Sequence, residues 1–352
     1  MSWLEAARSL EALEDAPLDA ALVAALERAA PRVAARPIRF STPTFKAYSS
    51  CELEGCGKNR FPAFSVTAGG CALMCDHCQA KILEPMIPAT SPEMLERKVR
   101  AMIATEDLQG FLLSGGSTRR NEVRYERFLP AIERLKREFP HLRIAAHTAL
   151  LDPARARALA AAGIDTAMMD VIGAEDTIRE VYHLERPVED FEATLAALCA
   201  TSMQVVPHIV IGLHYGRILG EPAALDIVSR HRIHSLVLVV VMPFYAKAGT
   251  FETPAAPEVG RIFLEARARI PERELLLGCA RPPGMHRRVT DAYAVMAGLD
   301  GIAFPADGAP ALARSLGRPA LQEHACCSVK TGRSIELGPR SIKLHPRPAL
   351  AA

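Results

Sequence analysis

Gly69-Gly70-Cys71-Ala72-Leu73-Met74-Cys75-Asp76-His77-Cys78 follows directly on a β-type run, Ala63 to Ala68. Three thiols at C-x3-C-x2-C spacing on one tight loop can reach three corners of a cubane iron–sulfur cluster and leave the fourth iron open. The alternative is a structural zinc site, which is usually assembled from a C-x2-C pair and a second pair further along the chain. A single loop with three thiols departs from that pattern.

Working outward, short β-type runs alternate with amphipathic helical stretches, the arrangement of βαβ units around a parallel sheet. Eight runs stand out: Ala63 to Ala68, Gly110 to Leu113, Arg143 to His147, Thr166 to Val171, Gln204 to Ile211, Ser235 to Met242, Glu274 to Leu277 and Gly301 to Phe304. Helix starts are marked between them by Thr90-Ser91-Pro92-Glu93 and by Asp152-Pro153, and Gly163 sits where the second of these helices would end. Eight strands, each followed by a helix, predict an α/β fold of the (β/α)8 TIM-barrel type; an open barrel with fewer strands is the variant that periodicity leaves standing. Residues 3 to 34 have helical spacing and predict a short helical N-terminal extension. The expected organisation is therefore residues 1–60 as helical extension and cysteine-containing lead-in, 61–330 as barrel, and 331–352 as a mobile tail.

The 42 basic and 40 acidic residues nearly cancel, so no electrostatic footprint for nucleic acid or an anionic membrane is expected. Met1 to Glu5 lacks the basic and apolar regions of a secretory signal, and the longest apolar run, Leu236 to Met242, is far below the roughly 20 residues of a membrane span. A cytoplasmic protein is the expectation. Nine clustered cysteines in a reducing compartment point to metal binding or catalysis rather than to disulfides.

With the cysteine loop placed after a first barrel strand, residues 61 to 327 resemble the radical S-adenosylmethionine (SAM) superfamily. That resemblance implies a 4Fe–4S cluster on Cys71, Cys75 and Cys78, with SAM bound at its open iron and cleaved to a 5′-deoxyadenosyl radical. It implies further that Ser114-Gly115-Gly116 binds the SAM amino group, that Asp170 takes a ribose hydroxyl, that Ile211-Gly212 packs on adenine, and that His77 stands near adenine where most members have an aromatic residue. His147, His208 and His214 are lesser candidates near strand ends. Glu180 and His183 resemble half of a carboxylate-bundle metal motif whose second copy is missing.

A narrower resemblance is to the biotin-synthase-like branch, some of whose members act in the two-protein type of lipoyl synthase. It is carried by His147-Thr148, Glu180-Val181-Tyr182-His183-Leu184, the run Val206 to Gly216 and Gly278-Cys279-Ala280-Arg281-Pro282. Cys51 and Cys56 form a C-x4-C pair upstream of the barrel, Cys279 ends the seventh strand, and Cys326-Cys327 follow the last helix. These five thiols, with Ser328 as a non-thiolate substitute, are candidates for a second iron–sulfur cluster. Position 62 is Pro, where classical lipoyl synthase has a third cysteine of the N-terminal set. Cys199 is read as core.

The resemblance leads to sulfur insertion into an octanoyl chain on a lipoyl-carrier protein, with reduced ferredoxin or flavodoxin as electron donor and a second radical SAM protein as partner. Met242, Pro243 and Phe244 are candidates to line a groove for the acyl arm. A mutase, methyltransferase or cofactor-maturation enzyme acting on a small molecule is the alternative, and a non-catalytic zinc-binding scaffold is the alternative of another class.

Overall fold

A computed structural model of the chain describes residues 1–29, 36–42, 48, 50–53 and 60–338. In chain order the first elements are α1 (Trp3–Arg8), α2 (Ala20–Arg28), β1 (Ile38–Ser41), β2 (Ala63–Ser65), β3 (Ile87–Pro88), α3 (Pro92–Thr105), β4 (Gly110–Ser114), α4 (Leu129–Glu138), β5 (Arg143–His147), α5 (Pro153–Ala161), β6 (Thr166–Asp170) and α6 (Glu175–Val181). There follow α7 (Val188–Cys199), β7 (Gln204–Ile211), α8 (Glu221–Ser229), β8 (Ser235–Val240), α9 (Ala256–Arg269), β9 (Glu274–Leu277), α10 (Met285–Met296), β10 (Gly301–Ala303), α11 (Ala309–Ser315), β11 (Ala320–Glu323) and β12 (Ser334–Glu336). Among the described residues no helix is long and apolar enough to cross a membrane.

All eight runs read from the sequence are strands, β2 and β4 to β10, and they lie side by side in chain order with every pair parallel. The helix signals act as their chemistry requires. Ser91 Oγ accepts from the Met94 amide at 3.2 Å with Pro92 at the first helical position of α3, and Asp152 Oδ1 accepts from the Arg155 amide at 2.9 Å to open α5. Gly163, with φ of 96°, ends that helix in the left-handed conformation a glycine adopts without strain.

Closure is where the structure departs from an eight-stranded barrel. The free edge of β10 is taken not by β2 but by β1, in register Arg39 with Gly301 and Phe40 with Ile302, and β11 then pairs with the far side of β1. Strand β12 runs antiparallel at that edge, while β3 covers the other edge beside β2. Among the described residues no ladder joins the two ends, so the sheet is a partial barrel. The stretch expected to be a lead-in thus supplies a central strand. Residues 334–336, expected in a tail, form β12, and residues 339–352 lie outside the described set. Helices α1 and α2 cap the outside, where α2 packs on α9 and α10 and the Asp19 amide donates to Tyr293 Oη at 2.7 Å.

Alternate residues of each strand face opposite sides. One side packs on the helices. The other fills the barrel interior with Ala145, Met168, Val206, Val237, Leu276 and Ala303, closed by Phe61 and by the segment Ala325 to Val329 that follows β11. The wall beside it is fixed by Arg281, fully buried, whose guanidinium donates to both Asp291 oxygens at 2.7 and 2.9 Å and to the carbonyls of Gly278, Ala303 and Phe304 at 2.8 to 2.9 Å. Removing the anion from such a pair strands a buried cation, at a cost of about 3–5 kcal/mol. Asp291→Ala is expected to lose that much in equilibrium denaturant unfolding, and a loss within the ordinary surface range of about 0.5 kcal/mol would show that the pair does not hold this wall.

Candidate active site

The loop from Ala68 to Ala80 winds tightly because four non-glycine residues take left-handed backbone angles, Ala68, Met74, Gln79 and Ala80, with φ from 47° to 59°. Conformations of this kind persist where the surroundings over-determine them. Amides of Cys78 and Gln79 both donate to the Cys75 carbonyl, at 3.2 and 2.9 Å. The result turns Cys71, Cys75 and Cys78 into one cavity of about 300 Å3. Contact between Cys75 and Cys78 lowers the proton affinity of the Cys78 thiol and raises that of Cys75.

Two contacts seat this loop. Asp76 is buried between the helix-connecting loops: its amide donates to the Val181 carbonyl, its carbonyl accepts from the Lys247 amide at 2.8 Å, and its carboxylate pairs with His183 Nε2 at 3.0 Å. His183 is thereby a latch on the cysteine loop, and Glu180 faces His214 instead, so the two do not form a metal motif. On the other side a Cβ at Gly116 would stand 1.9 Å from the Gly70 carbonyl oxygen and 2.6 Å from Cys71 Cα. Gly116 is a glycine because the turn after β4 lies against the cysteine loop. The Ala72 amide donates to the Ser117 carbonyl at 2.9 Å across the same contact, and Ser114, Gly115, Gly116 and Ser117 all line the cavity.

Strand alternation brings Asp170, His147 and His208 into the cavity from β6, β5 and β7. Tyr182 Oη donates to Asp170 Oδ2 at 3.3 Å, and His147 Nε2 lies 3.7 Å from Asp170 Oδ1. Burial disfavours the Asp170 charge, yet His147, His208 and His77 together hold its carboxyl well below the usual range. Burial also opposes protonation of His147, but Asp170 outweighs it and raises the imidazole's proton affinity. His208, by contrast, is pushed down to about 4 by burial and by His147, and its Nδ1 sits 3.1 Å from the Val206 carbonyl oxygen. The ring of His77 stacks on Tyr182 at 4.9 Å, and its Nδ1 is buried without a hydrogen-bond partner. An orphaned polar atom at the lip of a thiol-lined cavity suits a polar ligand there.

The alternation corrects one expectation. Because His208 and Val210 face the cavity, Ile211 faces the helices and is fully buried there, while Gly212, with φ of 78°, gives its amide to buried Glu221 at 2.6 Å. Neither lines the cavity; Val210 and Val239 do. Met242 also lines it, whereas Phe244 is 76% exposed and His214 hydrogen-bonds Thr177 outside it. Tyr182, which links His77 to Asp170, was present in the sequence only as part of a resembling phrase.

Three of the five further thiols meet. Cys279, Cys326 and Cys327 line the same cavity as the first three, with Ser328 beside them. Contact with Cys327 lowers the proton affinity of Cys326 and raises that of Cys327. Cys51 turns away: its Sγ lies 3.4 Å from Asp307 Oδ1, and burial and that carboxylate push the thiol up to about 11. Cys56 lies outside the described residues, and Cys199 packs at the edge of the core on α7. Among the described residues no three Cys, His, Asp or Glu side chains converge on a single metal ion. Tetrahedral zinc with bonds of about 2.3 Å would need thiolates about 3.8 Å apart. Three thiols on one loop are the donor set of a cluster, whose ligands sit on separate irons.

A family model described as the radical SAM superfamily matches residues 65–217. A biotin synthase of Desulforudis audaxviator (strain MP104C) is 30% identical over 151 residues, which are 42% of this chain and 45% of that enzyme. The chain thus matches less than half the length of this relative. Among solved structures, the FeFe-hydrogenase maturase HydG superposes on 90% of this chain and 74% of its own, with a TM-score of 0.57 and 12% identity. Methylornithine synthase covers 86% of this chain and 81% of its own, with a TM-score of 0.52 and 13% identity. At these identities the structural likeness is one of fold, a partial barrel of parallel strands. The three-thiol loop lies within the matched stretch, and over residues 65–217 the chain is similar to the radical SAM superfamily.

Proposed function

We propose that this chain is a radical SAM enzyme that inserts sulfur at unactivated C–H positions of an octanoyl chain held by a lipoyl-carrier protein. The observation that carries the reading is the opening of two thiol sets, Cys71 with Cys75 and Cys78, and Cys279 with Cys326 and Cys327, into one cavity. Leu112, Met168, Val210, Val237, Val239 and Met242 give the same cavity an apolar surface. Such a surface suits an uncharged alkyl chain and excludes water from the reacting carbon.

On this reading Cys71, Cys75 and Cys78 hold a 4Fe–4S cluster with one iron free of thiolate. Ser114 and Gly115 lie where the methionine end of SAM would be held, Asp170 where a ribose hydroxyl would be, and His77 and Val210 beside the purine. Cluster and SAM, with one electron from a reduced ferredoxin or flavodoxin, supply the hydrogen-abstracting 5′-deoxyadenosyl radical, which leaves as 5′-deoxyadenosine beside free methionine. Cys279, Cys326 and Cys327 hold a second centre. Such a centre would supply the sulfur and take up the electron left over when the C–S bond forms, so that each bond would consume one SAM and one donor electron. The chain's own residues keep the two centres apart, dry and facing one carbon.

A second reading is favoured by size. About 300 Å3 is at the small end for ligand cavities, which suits a small-molecule substrate for a mutase, methyltransferase or maturation reaction.

Anaerobic incubation with an octanoyl-carrier protein, SAM, a reductant and a partner radical SAM protein separates the two by mass spectrometry. Sulfur gained by the octanoyl group, and lost from the product when Cys279, Cys326 and Cys327 are changed to Ala, is the expected result. Formation of 5′-deoxyadenosine with an octanoyl group that never gains sulfur would favour the small-molecule reading.

Assignment of the first cluster has its own check. In a Cys279, Cys326, Cys327→Ala background, Gly116→Ala is expected to lose most of the remaining iron after anaerobic reconstitution, because the new methyl cannot coexist with the Gly70 carbonyl. Iron equal to that of the background chain would show that the loop seats the cluster without this contact.

A further inference from the structure

We propose that His208 is a specificity-determining residue whose Nε2 atom accepts a hydrogen bond from an N–H group of the substrate. On the reading above, that group is the amide N–H through which the octanoyl chain is joined to a lysine of its carrier. The inference rests on that reading and names the polar contact an otherwise apolar wall would give such a chain.

His208 stands on β7 with Asp170 of β6 and Val237 of β8 as its cross-strand neighbours, and its side chain lines the cavity. Its Nδ1 lies 3.1 Å from the Val206 carbonyl oxygen. A carbonyl can only accept, so Nδ1 carries the ring proton and Nε2 keeps a lone pair. Burial and the nearby His147 push proton uptake by this ring down to about 4, which leaves the lone pair free at neutral pH. Among the described residues no group donates to Nε2.

The polar neighbours have other engagements. Asp170 accepts from Tyr182 Oη at 3.3 Å on one oxygen and faces His147 Nε2 at 3.7 Å with the other, and a carboxylate has no proton to give His208. The Thr148 hydroxyl donates to the Met168 carbonyl at 3.2 Å. His147 is the competing imidazole, with its ring centre 5.4 Å from that of His208. Asp170 raises its proton affinity, which favours a ring protonated at both nitrogens, and no backbone carbonyl fixes its tautomer as Val206 does for His208.

A bare acceptor beside Val210, Val237 and Val239 is costly unless a donor meets it. An alkyl chain offers none, nor does an ester or thioester. An amide offers one. A site built to hydrogen-bond an N–H rejects the analogue that lacks it, because the site's own polar atom is then left unpaired. His208 would thus separate an octanoyl group held as an amide from the same group held through oxygen or sulfur.

The test uses the full chain, reconstituted anaerobically with iron and sulfide and kept with SAM in the absence of reductant. Calorimetric titration compares two peptides, one with a lysine octanoylated on its side chain and one in which oxygen replaces that amide N–H. The amide peptide is expected to bind about tenfold tighter or more, a preference lost in His208→Leu and kept in His147→Gln. Equal binding of the two peptides, or a preference that survives His208→Leu, overturns the proposal. The unaltered chain already compares the peptides, so a variant that fails to fold does not remove the test. SAM affinity, titrated separately, is expected to be the same in His208→Leu; its loss in a variant that keeps the circular dichroism of the unaltered chain would assign Nε2 to SAM and overturn the proposal. Binding of neither peptide would overturn the octanoyl reading itself, a result distinguishable from equal binding of both.

Discussion

A parallel strand sends alternate side chains to opposite faces, and everything in the cavity follows from which half of each strand points inward. On β5 the inward set is Ala145 and His147, on β6 Met168 and Asp170, on β7 Val206, His208 and Val210. Deep positions are apolar and fill the interior, while the positions at the C-terminal ends carry the titratable groups. The arrangement is economical because one strand direction is shared by the whole inner sheet: all carboxyl ends open on the same side, so loops from distant parts of the chain deliver their thiols to one place. Cys279 and Cys78, 201 positions apart in sequence, thus line a common surface.

Legibility in the sequence tracks how local each feature is. The three-thiol loop was legible because its spacing alone brings its sulfurs together, and the eight inner strands because each is a continuous apolar run. Strand β1 was not: Ile38-Arg39-Phe40-Ser41 is short and polar at alternate positions, and it becomes a strand only because β10 and β11 offer it two parallel edges. Closure fails to be legible for the same reason, since periodicity describes a strand's faces and says nothing of which edges meet. Ile211 and Gly212 illustrate a register limit, where a displacement of one residue exchanges cavity for core. Cys51 looked like part of a ligand pair, yet Asp307, 256 residues later, captures it.

Buried charge is concentrated where loops must be held still. Arg281 with Asp291 and Arg267 with Asp300 are buried pairs at strand ends that satisfy backbone groups as well as each other. Pairs of this kind add little net stability over well-packed apolar groups, but a lone member is costly, so geometry that unpairs them is penalised. Arg281 fixes the carbonyl of Gly278 immediately before Cys279, while Asp76 fixes the backbone between Cys75 and Cys78. The backbone before Cys279 therefore has alternatives that would leave an unpaired charge in the interior.

On the proposed reading, rigidity has a chemical reason. A carbon radical formed by the first centre must meet a sulfide of the second before it meets anything else, and reaction requires the partners within about 3–3.5 Å in an aligned pose. A cavity of about 300 Å3 with an apolar wall satisfies this by leaving the substrate carbon few places to go. A wider or wetter site would admit water and reductant, and the radical would be quenched without bond formation. The line from His77 through Tyr182 and Asp170 to His147 adds a second restraint, since the groups that would receive SAM also brace the far side of the cavity.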